Sequence, residues 1–75
     1  MPANKPQPSF EILAREKKAA RLADTLWQYG ITPAEAESAS EDDWKLAALV
    51  ARVNPPSADT IKIVIAMLEE REATK

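Results

Sequence analysis

Apolar residues recur along this chain in three blocks at helical spacing, each closed by a turn signal. In the first block Ile12, Ala19, Leu22, Ala23, Leu26, Trp27 and Tyr29 fall on one broad arc at about 100° per residue. Lys17, Lys18, Arg21, Asp24, Thr25 and Gln28 take the opposite face, so the pattern predicts a first helix from Phe10 to Tyr29. In the second block Trp44, Ala47, Ala48 and Ala51 form one side and Leu46, Leu49, Val50 and Val53 the other. Only Lys45 and Arg52 mark a polar stripe there, which predicts a helix over 41–53 buried between neighbours. In the third block Ile61, Val64, Ile65 and Leu68 make an i, i+3, i+4, i+7 stripe over 58–73. The run TIKIVI also alternates like a strand, but the stripe continues into MLEEREA, which favours helix.

The residues between the blocks are helix punctuation. Ser9 stands in an N-cap position, and Gly30, the sole glycine, stands where a left-handed C′ residue ends a helix. Thr32-Pro33-Ala34-Glu35 reads as a capping box with proline at N1, opening a short helix over 33–39. Ser40-Glu41-Asp42-Asp43 repeats that logic ahead of the second block, with carboxylates at the positive end of the helix dipole. Asn54-Pro55-Pro56 breaks the chain out of helix, and Ser57 or Asp59 caps the next one. The expected fold class is therefore all-α: a small bundle of three main helices plus one short helix. Residues 1–8 carry three of the six prolines and are expected to be a flexible arm ahead of a single helical domain over 9–75.

Composition narrows the chemistry. Seventy-five residues support one small core, and an apolar fraction of 45% argues for packing rather than disorder. With no cysteine and no histidine the chain has no disulfide, no nucleophile–base pair of the usual kind and none of the commonest zinc ligands. It has no glycine-rich phosphate loop. These absences lead to the expectation of a non-enzyme without cofactor or metal. No apolar run approaches the roughly 18 residues of a membrane span, and the N-terminus lacks an apolar signal core, so a cytoplasmic protein with no membrane partner is expected.

Charge is unevenly placed. Glu35, Glu37, Glu41, Asp42 and Asp43 fall together with no base among them, whereas Arg15, Lys17, Lys18 and Arg21 lie on the first helix. The first helix, the turn Gly30-Ile31-Thr32 and Ala36 match the spacing of a helix-turn-helix DNA reader. Two features oppose it: Leu26 occupies a position where a small residue normally permits close helix crossing, and the second helix offers Glu35, Glu37 and Ser38. Acidic side chains repel phosphates. A helix-turn-helix transcriptional regulator, binding phosphates through Arg15, Lys17, Lys18 and Arg21, is thus the alternative reading.

The leading expectation is a protein–protein interaction module, such as a small adaptor, inhibitor or regulatory subunit. Its expected partner is another protein, with a basic one suiting the acidic corner, or a second copy in a homodimer. Two surfaces are expected to serve it. One is the acidic corner, Glu35 to Asp43. The other is an outer face of the last helix, where Ile63 and Met67 lie opposite the main stripe with Lys62, Glu70 and Arg71 around them.

Overall fold

The computed structural model describes the backbone of residues 10–74 and the side chains of residues 14–74. Those residues form four helices and, among them, no strand: α1 Phe10–Gln28, α2 Pro33–Glu37, α3 Glu41–Ala51 and α4 Ala58–Ala73. The all-α bundle of three longer helices and one short one is what the periodicity predicts. The Pro-rich arm, the Ser9 cap and the side chain of Ile12 lie outside the described residues.

Each helix boundary has a local cause. Thr32 and Ser40, both in extended conformation, accept from the N3 amides, and the N3 carboxylates of Glu35 and Asp43 accept from the cap amides in return. Ser57, rather than Asp59, caps α4: its Oγ accepts from the Thr60 amide. At the C-terminus of α1, Gly30 adopts φ +76, its amide donates to Trp27 O, and the Ile31 amide donates to Leu26 O. This is a Schellman closure. The same closure ends α3, with Arg52 at φ 63 donating to Leu49 O and Val53 donating to Ala48 O. Thus α3 stops at Ala51, short of the expected Val53, because Arg52 turns left-handed before the prolines are reached. Likewise α2 stops at Glu37 rather than Ala39.

α1 is the common partner of the bundle. It packs along α4 and against α3, while α2 packs on α4. The thinnest extent of the molecule is 18 Å, room for two layers of helices at their usual 8–10 Å separation. The core consists of Ala19, Leu22, Ala23 and Leu26 from α1, Ala36 from α2, Trp44, Ala48 and Ala51 from α3, and Val64 and Leu68 from α4. Half of these are alanines, whose small side chains let the helix backbones approach. Thr60, buried at the start of α4, keeps its hydroxyl paired with Ser57 Oγ at 3.2 Å. No buried side-chain nitrogen or oxygen among the described residues lacks a hydrogen-bond partner.

Two sequence expectations about burial need correction. α3 is not a spine buried all round: Trp44, Ala48 and Ala51 face the core, but Leu46 and Leu49 are 61% and 73% exposed and Val50 46%. α3 has one principal helical neighbour, α1, so only one of its two apolar sides is covered. Ile63 and Met67, in turn, do not face away from the core. Both are half-buried and packed on it, as are Ile61 and Ile65 on the other flank of α4. α4 has two neighbours, α1 and α2, and its buried arc is centred on Thr60, Val64 and Leu68, wide enough to take in both flanks.

Candidate interaction surface

The uncovered side of α3 carries the exposed apolar area of this bundle. Leu46 and Val50 lie one turn apart, and Leu49 sits beside them at i+3, so the three side chains make a continuous stripe. Tyr29, the residue between the end of α1 and Gly30, is 69% exposed. The periodicity places it on the core arc, but the Schellman turn carries it past the last helical residue. Between Tyr29 and the α3 stripe runs a groove of about 670 Å³. Leu26, Ala36 and Trp44 in its lining are buried, and Tyr29, Ile31, Leu46, Ala47 and Val50 complete its apolar lining.

The charged residues lining this groove, among those described, are Glu35 and Asp43. Both are held in place by capping. Glu35 Oε1 accepts from the Thr32 amide at 2.9 Å and from Thr32 Oγ1 at 3.3 Å. Asp43 Oδ2 accepts from the Ser40 amide at 3.1 Å. Each carboxylate keeps its second oxygen for solvent or an incoming donor. Glu37, Glu41 and Asp42 are exposed on the same corner. A smaller depression of about 290 Å³, with Glu37, Glu41, Lys45 and Ile61 in its lining, lies on the other side of Trp44.

The remaining residues expected to take part in binding are dispersed. Lys62 and Glu70 are exposed on α4, but Arg71 is half-buried and forms an ion pair with Asp24 of α1, tying the end of α4 to the C-terminal part of α1. Lys17 and Arg21 are exposed one turn apart on α1 with half-buried Lys18 next to them, whereas half-buried Arg15 lies towards the arc that carries Ala19 and Leu22. α2 is a five-residue helix with Pro33 and Ala36 buried, presenting Glu35 and Glu37 where a groove-reading helix would need donors and cations.

The surface that sequence reasoning missed is therefore Tyr29, Leu46, Leu49 and Val50. Its signal in the sequence is the second apolar side of α3, which periodicity alone does not distinguish from a side facing the core. Among the described residues no helix is long and apolar enough to cross a membrane, and no group of three or more carboxylates is placed to hold a metal ion. What fold and surface define together is a class: a small all-α bundle with an apolar groove and an acidic rim. No protein-family model matches this chain, and neither a curated protein nor a solved structure matches it.

Proposed function

We propose that the chain is a non-enzymatic protein–protein interaction module, with the α3 stripe and the adjoining groove as its contact surface. The observation that carries this is the exposure of Leu46, Leu49 and Val50 on one face of one helix. Three large aliphatic side chains in a row, with Asp42 and Asp43 at one end and Lys45 and Arg52 beside Leu49, have the make-up of an interface core with a polar rim. The groove is of a size that small ligands occupy. A small molecule seated in it would leave Leu49 uncovered, because that side chain lies on the ridge outside; a protein surface covers both. Acting as an adaptor, inhibitor or regulatory subunit requires nothing more than such a surface.

Replacing Leu46 and Leu49 together with Gln tests this reading. The double variant should keep the helical circular dichroism and thermal midpoint of the parent, and lose the proteins that the parent retains from the cells that make it. Replacing Lys17 and Arg21 with Ala should leave those proteins bound. If the second variant loses them and the first does not, the surface is wrongly placed. Submicromolar, sequence-dependent binding to duplex DNA at about 150 mM salt would instead favour the helix-turn-helix alternative.

A further inference from the structure

Resting on that reading, we infer that the occupant of the α3 stripe is a second copy of this chain, its α3 laid antiparallel on the first about a two-fold axis. The order of charges along α3 carries the inference. Asp42 precedes Leu46 and Leu49 at i, i+4 and i+7, so it stands in line with the stripe at its acidic end, and Arg52 follows the stripe at the other end. In a two-fold pair every contact is made twice, so a surface fits itself only where its own groups answer one another across the axis. With the axis midway between Leu46 and Leu49, Leu46 of one copy faces Leu49 of the other. The acidic turn of each copy then faces Arg52 of the other. A parallel pair sets Asp42 against Asp42 and Arg52 against Arg52, and like charges repel. Two copies of this helix are therefore self-complementary in the antiparallel sense alone.

Arg52 is the cation that this pairing uses. Lys45 also flanks Leu49, but Glu41 and Asp42 precede it by four and three residues, one turn away on its own helix. At the same offsets Arg52 has Ala48 and Leu49, so α3 gives it no counter-charge. Exposed Lys62 belongs to α4, which is not among the helices packed on α3. Among the described residues no ion pair or hydrogen bond engages the side chain of Asp42 or of Arg52. Arg52 also holds φ 63, a left-handed conformation that glycine adopts at lower cost. A guanidinium working between copies is a reason for an arginine there. The same pairing buries the mostly exposed Leu46 and Leu49 against each other.

Sedimentation equilibrium of the full chain from about 10 μM to about 1 mM covers the affinities of so small a contact. The parent should form a dimer and nothing larger, because a two-fold contact closes. Leu46→Ser with Leu49→Ser should weaken association at least tenfold with the helical circular dichroism unchanged. Asp42→Lys and Arg52→Asp should each weaken it severalfold, since either one sets like charges across the axis. Both reversals in one chain should bring association back to the parent's level. Dimers that neither single reversal weakens would overturn the antiparallel pairing. Dimers indifferent to the serine variant would overturn the α3 contact altogether. A parent that stays monomeric throughout would overturn the second copy as occupant. The interaction surface itself would then stand or fall on whether Leu46→Gln with Leu49→Gln loses the proteins that the parent retains, so the two failures are read separately.

Discussion

Gly30 and Arg52 occupy the same structural position, the left-handed residue of a Schellman closure, with opposite consequences for their side chains. A Cβ added at Gly30 would meet no other atom within 4 Å, so Gly30→Ala carries only the backbone penalty of the left-handed region. That is about 1 kcal/mol. Arg52 already bears the same penalty, and Arg52→Gly removes it while giving the unfolded chain more freedom, for a net gain of about 0.5 kcal/mol. Urea unfolding of the two variants should move the midpoint in opposite directions. Gly30 was legible in the sequence because glycine advertises a positive φ. Arg52 was not, since nothing in an arginine signals that the chain turns there. The Arg71–Asp24 pair was equally hidden, and with both partners more than a third exposed it contributes at most about 1 kcal/mol.

At the scale of the element, helix starts were the most readable features of the chain, because a cap is made within four residues and needs no tertiary neighbour. The Thr32–Glu35 and Ser40–Asp43 boxes form as the side-chain spacing predicts. Thr32→Ala and Ser40→Ala should each lower stability by about 0.5–2 kcal/mol, measured by denaturant unfolding. If the carboxylates of these boxes contributed nothing to helix initiation, Asp43→Ala would leave the midpoint where it is. Helix faces were less readable. α3 and α4 both have apolar residues on more than one side, and periodicity cannot say which side meets a neighbour. For α4 the answer is a wide arc shared between α1 and α2; for α3 it is a single face against α1.

The whole molecule is held by a small core, so the difference between its buried and exposed leucines is a sharp test of the topology. Leu22 and Leu68 are fully buried, whereas Leu46 and Leu49 are mostly exposed. Leu22→Ala or Leu68→Ala should destabilise by about 3–5 kcal/mol, a large part of what a domain of this size possesses. Leu46→Ala and Leu49→Ala should stay within about 0.5 kcal/mol of the parent. Thermal midpoints that dropped equally for all four would mean that α3 is enclosed on both sides, and the groove would not exist. Two layers of helices leave each helix at the edge with one open face. On α3 that face is aliphatic, and this places the candidate surface there rather than on α4.

The amino-acid sequence alone determined the helical class, the four segments and three of the helix starts, because these depend on interactions reaching no further than one turn along the chain: i, i+3 and i+4 side chains, hydroxyl caps, a glycine and a pair of prolines. Which apolar faces are buried was decided by the tertiary structure. Leu46, Leu49 and Val50 are as hydrophobic as Leu22, Val64 and Leu68, and burial of an aliphatic side chain depends on what stands opposite it rather than on its own chemistry. Only the packing of α1 against both α3 and α4, with α2 on α4, leaves one stripe in solvent beside the acidic caps.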